Sequence, residues 1–215
     1  MKMIIFGATG DVGRAVTAEA LQRNVNVTAV SRQATDDARL PNAIARRNLD
    51  VLATSAEQIA ELLAEHDVAI SALRPPAGQE SDLVALTQRI MQAARLARTR
   101  MIITGGAALL KLADNSGHSV LTAPGFLPDQ VRPIAEACAA QDALLDDFED
   151  CAWTCLRPPA MLTQGDRTGE YTLGSDTLVT DANGASQISY ADFAVAMLDL
   201  TGALDAPRRV TAAWT

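Results

Sequence analysis

Two periodicities alternate along this chain. Met3-Ile4-Ile5-Phe6 is an unbroken apolar run, the pattern of a strand buried on both faces. Beyond it, Val12, Val16, Ala20 and Leu21 recur at helical spacing over Val12 to Arg23. Val25-Asn26-Val27-Thr28-Ala29-Val30 predicts a second strand, and Ala45 to Leu49 a short third one. Ser55-Ala56-Glu57-Gln58 has the form of a capping box, and Ile59, Leu62 and Leu63 continue one helical face. A fourth strand is expected at Val68 to Leu73, where Pro75-Pro76 keep a helix from starting at once.

The same alternation continues. Leu83, Leu86, Ile90 and Ala94 form a stripe through a helix from Asp82 to Arg98. Met101 to Thr104 reads as a fifth strand ending at Gly105-Gly106. Leu112 to Pro128 carries no clear period, and loops of that length are usually functional or mobile. A helix is expected over Pro133 to Phe148 and a sixth strand over Ala152 to Leu156, halted by Pro158-Pro159. Then the spacing shortens: Tyr171 to Leu173 and Thr177 to Thr180 are strand candidates, Asp181 to Gly184 a turn, and Gln187-Ile188 the return. Ser189-Tyr190-Ala191-Asp192 caps a last helix from Phe193 to Thr201, and Arg209 to Trp214 closes the chain as a strand.

Alternating strand and helix units imply one α/β domain over residues 1–215, a doubly wound parallel sheet with helices on both faces. Such sheets bind ligands beyond the carboxyl ends of their strands, where the strand order reverses. Gly7-Ala8-Thr9-Gly10-Asp11-Val12-Gly13 lies at the first of those ends. Three glycines at this spacing, between a strand and a helix, mark a Rossmann-like dinucleotide site. Gly7 permits the tight turn, Gly10 lets backbone approach the pyrophosphate, and Gly13 lets the helix pack close to the sheet. The phosphates then rest on free N–H groups at the helix start.

The other strand ends refine the ligand. An acid often meets the ribose hydroxyls after the second strand, but here the residues are Ser31 and Arg32. Arginine pairs bidentately with a phosphate, so NADP is favoured over NAD. Asp36 and Asp37 would oppose a phosphate if they faced inward. Asp50 after the third strand either meets the adenine or is solvated. Gly105-Gly106 implies either close approach of backbone to the nicotinamide or a plain turn.

Composition narrows the rest. A net charge of −8 leaves no basic face for nucleic acid. With 48% hydrophobic residues but 4% aromatics, the core must be aliphatic and alanine-rich. No signal-peptide pattern opens the sequence and no apolar run approaches the roughly 20 residues of a membrane span, so a soluble cytoplasmic protein is expected. Cys138, Cys151 and Cys155 are expected as free thiols. Four residues of strand between Cys151 and Cys155 span roughly 13 Å, too far for one metal, and no metal site is expected. The only lysines are Lys2 and Lys111, so a Tyr-x-x-x-Lys proton-transfer pair is absent. His66 reads as a solvated helix end, whereas His118 in the long loop is a candidate for the substrate side. A bound hydride donor without a proton donor suits a flavin-like acceptor better than a ketone, because a flavin takes hydride on nitrogen and its proton from water.

These residues resemble the NAD(P)H-binding, NADH–flavin reductase group of atypical short-chain dehydrogenases/reductases, related to biliverdin reductase B and to NmrA-like regulators. The marks are Gly7-Ala8-Thr9-Gly10-x-x-Gly13, Ser31-Arg32, Asp50-Val51, Asp67 to Ala72, Ile103-Thr104-Gly105-Gly106-Ala107, Trp153-Thr154 and Pro158-Pro159-Ala160. The last two are Gly165-Asp166-Arg167-Thr168-Gly169-x-Tyr171-x-Leu173-Gly174 and Ile188 to Ala194. The resemblance implies a Rossmann-like domain with a small substrate-side hairpin region at residues 160–190. It also implies bound NADP or NAD, and reduction of a flavin or similar planar acceptor, with FMN or FAD as substrate rather than prosthetic group. Expected cofactor contacts are Gly7, Thr9, Gly10, Asp11, Val12, Gly13, Ser31, Arg32, Asp50, Val51, Ala72, Leu73, Thr104, Gly105 and Gly106. His118, Arg167 and Tyr171 are expected on the substrate side, with Arg167 as an alternative brace for the hairpin. Where the family continues Gly-Gly-Ala-Gly-Ser-Leu, this chain has Ala107-Ala108-Leu109-Leu110 after its glycines, which removes a serine that could orient a carbonyl. The alternative function is a non-catalytic NADP(H) sensor read by a protein partner through the long loop. Direct partners otherwise reduce to a small-molecule acceptor, with no nucleic acid and no membrane.

Overall fold

The computed structural model describes every residue except Asn115 and Leu204. Its main sheet contains β1 (Lys2–Phe6), β2 (Asn26–Ser31), β3 (Ala45–Asn48), β4 (Val68–Ser71), β5 (Arg100–Thr104) and β6 (Trp153–Arg157). Two further strands, β8 (Thr172–Gly174) and β10 (Arg209–Ala213), complete it, while β7 (Met161–Thr163) and β9 (Gln187–Ser189) pair separately. The order across the sheet is β3-β2-β1-β4-β5-β6-β10-β8, parallel throughout except for the β10–β8 pair. The order reverses between β1 and β4, which places a crevice over their carboxyl ends.

Neighbouring residues of one strand serve opposite cores. Met3 and Ile5 of β1 join Val16 and Ala20 of α1 (Asp11–Gln22) and Phe193 and Met197 of α5 (Tyr190–Gly202). Ile4 and Phe6 join Ile59 and Leu63 of α2 (Ala56–Leu63), Ile90 and Ala94 of α3 (Asp82–Ala97) and Leu145, which follows α4 (Arg132–Leu144). This two-sided burial is why the strands read as unbroken apolar runs. The capping box at Ser55 forms as the sequence predicts, with reciprocal bonds to Gln58.

The carboxyl-terminal third departs from a hairpin. Thr177 to Thr180 forms no strand, and Gln187-Ile188 does not return onto it across the turn at 181–184. Instead β8 runs antiparallel to β10 at the sheet edge, and β9 pairs in parallel with β7. Residues 176–178 are taken by Lys111, whose N–H donates to the Asp176 carbonyl at 2.8 Å and whose carbonyl accepts from Leu178 at 2.9 Å. The same contact fixes the long loop. Leu110, Val120 and Leu178 form a small core there, with Leu112 and Leu127 against it, so the segment is a packed cap.

A charged bolt holds the β6–β10 end of the sheet to α4. Buried Asp142 accepts from Arg157 Nε at 2.8 Å and from Arg209 Nε at 2.7 Å. His66 is not a solvated helix end. Its ring bridges the Leu62 carbonyl at 2.8 Å and the Thr28 hydroxyl at 2.9 Å, tying α2 to β2.

Candidate functional site

The glycine loop turns between β1 and α1, and each glycine there has its own reason. Gly7 sits at φ +79°, and a Cβ on it would lie 2.4 Å from the Ala72 carbonyl oxygen. A Cβ on Gly13 would lie 2.2 Å from the Gly7 carbonyl oxygen. Gly10 differs, because a Cβ there would meet nothing closer than 3.4 Å. Its missing side chain is therefore not demanded by the protein's own packing and leaves room above the loop. Gly10 is also the N-cap of α1 and supplies no side-chain acceptor, so the first-turn amides have no capping oxygen. The Gly7 and Ala8 amides donate to the Val30 carbonyl at 2.9 and 3.2 Å, which locks the turn onto β2.

A cleft of about 730 Å³ opens over these strand ends, in the size range of small-molecule sites. It brings together Gly7, Thr9, Gly10, Ser31, Arg32, Asp50, Val51, Ala72 and Leu73, all expected from the sequence. The crossover order gathers them, since 7–10 follow β1, 31–32 end β2, 50–51 follow β3 and 72–73 follow β4. Asp11, Val12 and Gly13 follow in the first turn of α1 and are not part of the cleft lining. The structure adds Gln33, Arg74 and Gln79 to the lining. Arg74 is an exposed cation directly after Leu73, and the chemistry-bearing signal for it was only its position at a strand end.

In the loop after Arg32, Asp37 is ion-paired, while exposed Asp36 accepts only from the Thr35 hydroxyl at 3.2 Å. Arg39 holds Asp37 through Nε at 2.9 Å and Nη2 at 2.6 Å, and its own backbone N–H adds a bond of 2.9 Å. The guanidinium first and the amide second pull the Asp37 carboxyl down to about 2. Asp37 thus has a cation of its own and does not oppose a phosphate unpaired. Arg46 of β3 donates to the Leu40 carbonyl at 2.5 Å and the Asp37 carbonyl at 3.2 Å, which shapes the loop that follows Arg32. Asp50 uses one carboxylate oxygen to accept from Leu52 N–H at 3.0 Å, and its residue still lines the cleft.

Thr104, Gly105, Gly106 and His118 do not line this cleft. Gly105 and Gly106 are explained by packing: added Cβ atoms would lie 2.6 Å from Cys155 Sγ and 2.5 Å from Cys138 Cβ. Thr104 directs its hydroxyl to Met197 sulfur at 3.7 Å. None of these three lines the cleft. All three cysteines are free. Burial pushes the Cys138 thiol up to about 11 and Cys155 up to about 12, so both are inert packing groups. His118 is exposed in the cap and away from the cleft lining; its carbonyl accepts from Leu112 at 2.9 Å. Among the described residues no group of three or more His, Cys, Asp or Glu could hold a metal.

Arg167 and Tyr171 are both engaged by carboxylates of the helices. Arg167 grips buried Glu19 with Nε at 2.6 Å and Nη2 at 2.9 Å. Glu19 lies eight residues along α1 from Asp11, about 12 Å from the helix start at the usual rise. Arg23 shares the same carboxylate at 2.7 Å. The Arg167 bonds outweigh burial and, with Arg23, hold the Glu19 pKa below its usual value. Tyr171 donates to Asp199 at 2.6 Å, and burial followed by that bond raises its pKa. Arg167 thus ties its loop to α1 and Tyr171 ties the following strand to α5, and neither lines the cleft over the glycine loop. The partner that holds Arg167 is the Glu19 carboxylate. Arg167→Ala is expected to lower the melting temperature measurably while leaving NADPH affinity of the folded protein within about twofold; titration by fluorescence checks it.

The rest of that motif is also structural. Asp192 is fully buried in the first turn of α5. It accepts from Thr168 N–H and Gly169 N–H at 2.8 Å each, the Thr168 hydroxyl at 2.7 Å and the Trp214 indole at 2.8 Å. The Arg-Thr-Gly and Tyr-Ala-Asp segments match each other because they form one clasp.

Comparison with known proteins agrees with this geometry. The model of a family described as NAD(P)H-binding matches residues 7–201. The Bacillus subtilis protein YwnB is 32% identical over 201 residues, covering 93% of this chain and 91% of its own. A solved structure from Burkholderia pseudomallei is 31% identical with a TM-score of 0.87, each chain fully covered. Another, from Streptococcus pneumoniae and named "putative NADH-flavin reductase", is 26% identical with a TM-score of 0.85 and full coverage of both. Among the described residues no helix is long and apolar enough to cross a membrane. With a glycine cradle open at Gly10 and a family match spanning that cradle through α5, the chain belongs to the NAD(P)H-binding family.

Proposed function

We propose that this protein is a cytoplasmic oxidoreductase that takes NADPH in preference to NADH and reduces a flavin or similar planar conjugated acceptor. The bound nicotinamide would supply hydride. The chain's own residues bind and orient. Amides at the start of α1 receive the pyrophosphate, with the open space over Gly10 admitting it. Arg32 meets the 2′-phosphate, a role left open to it because Asp37 is already paired with Arg39. Asp50 and Val51 border the adenine, and Ala72 and Leu73 carry the chain of contacts toward the reacting end.

The observation that carries the acceptor class is the make-up of the cleft lining beyond β4, where Leu73, Pro75, Pro76 and Leu86 give an apolar wall. No tyrosine, histidine or lysine lies in the cleft lining. This supports an acceptor that stacks and takes hydride without a tyrosine–lysine proton donor. The sensor reading needs a loop that rearranges with the nucleotide, and the packed core of the cap speaks against it.

Adding FMN to protein and NADPH should produce steady loss of NADPH absorbance. No turnover with FMN, FAD or quinones would remove the acceptor assignment. Arg32→Glu should weaken NADPH on the order of a hundredfold and NADH far less; equal losses would refute the role given to Arg32.

A further inference from the structure

One peptide group in the glycine loop is held at both ends. Gly10 donates its N–H to the Gly7 carbonyl at 3.0 Å. The carbonyl of that same Thr9–Gly10 peptide accepts from Nη1 of Arg14, whose Nη2 also holds the Asp11 carboxylate. Arg14 belongs to the first turn of α1, so the helix reaches back over the loop that precedes it.

Two negative centres therefore flank the helix start. Asp11 is the first residue of α1 and is exposed. Acid there favours the helix dipole but repels an incoming pyrophosphate. The Thr9 carbonyl oxygen is the second centre. One guanidinium offsets both. It also fixes a loop whose N-cap, being glycine, would otherwise sample many conformations. Asp37, whose carboxylate also feels the Arg14 charge, is occupied by Arg39 and leaves Arg14 in place.

We propose that Arg14 is a positioning residue of the phosphate subsite. It orients the Thr9–Gly10 peptide so that the loop meets the pyrophosphate already ordered, and it cancels the Asp11 charge beside that subsite. Preordering of this kind raises affinity by removing a cost of binding. The inference rests on the dinucleotide occupying the cleft over Gly10.

The test is titration with two ligands, NADPH and adenosine 2′-monophosphate, which lacks the pyrophosphate. Arg14→Ala should weaken NADPH roughly tenfold and leave the monophosphate within about twofold. Arg14→Lys, which keeps the charge but not the two-pronged grip, should fall between. Asp11→Asn placed in the Arg14→Ala background should recover part of the NADPH affinity, a rescue that a purely structural role would not give. Unchanged NADPH affinity in Arg14→Ala, or equal losses for both ligands, would overturn the proposal. Should Arg14→Ala not fold, Arg14→Lys with the same two ligands decides by the same criterion. A wild-type protein that binds neither ligand would overturn the placement of the dinucleotide and this inference together.

Discussion

Asp192→Ala is expected to cost about 3 kcal/mol of folding stability, because it strands donors that converge on one buried carboxylate. For a chain of this size that is roughly 6–12 °C in melting temperature. The clasp also joins three separate segments, residues 168–169, the start of α5 and Trp214, so loosening it frees them together. Its pH dependence has a definite sign. Burial pushes the Asp192 carboxyl up, but the Gly169 amide, the Thr168 hydroxyl and amide and the Trp214 indole together hold its pKa below the usual value. A depressed folded pKa stabilises above the unfolded value and is lost as pH falls through the folded one. The stability gap between wild type and Asp192→Asn should therefore narrow below about pH 4. Chemical denaturation at a series of pH values reads this, and a constant gap would mean that the carboxylate's charge does not contribute.

Gly13→Ala should be nearly as damaging, and for a different reason. Alanine normally improves a helix by about 1 kcal/mol over glycine. Here the new methyl would sit 2.2 Å from a backbone oxygen and 2.7 Å from Ala8 Cα. No rotamer relieves a contact between backbone and Cβ, so the loop or the helix must shift. The net loss is expected at about 2–3 kcal/mol, with dinucleotide binding lost as well. Gly10→Ala provides the contrast. Its methyl meets only an ordinary 3.4 Å contact within the protein, so it should fold with near wild-type stability and still lose NADPH affinity at least tenfold, about 1.4 kcal/mol. Calorimetry of both variants separates packing from ligand space. Equal behaviour of the two would show that Gly10 serves the fold alone.

Much of this was legible in the chain. The succession of strands and helices follows from unbroken apolar runs alternating with helical stripes, and the glycine loop from its place after β1. The strand-end positions Ser31, Arg32, Asp50, Val51, Ala72 and Leu73 converged as expected. Local pattern identifies a strand end, and parallel topology sends all such ends to one edge. Gly105 and Gly106 are packed against Cys155 and Cys138. A glycine needed for a ligand and one needed for a cysteine on another element look identical in sequence. Arg167 and Tyr171 were similarly ambiguous, since their partners Glu19 and Asp199 are far away along the chain. The strand β7 was missed because three residues after two prolines are too short to carry a period.

The sequence alone therefore determined the α/β alternation, the site of the dinucleotide loop and the absence of a Tyr-x-x-x-Lys pair. Each of these depends on spacing within a few residues, where backbone geometry is fixed. Tertiary structure alone decided which polar groups face the cleft and which are spent on the fold. It assigned Arg167, Tyr171 and Asp192 to bracing, tied Arg14 to Thr9, and made the long loop a packed cap. Those outcomes depend on which distant partner neutralises a buried charge or fills a gap, and no local spacing encodes that choice.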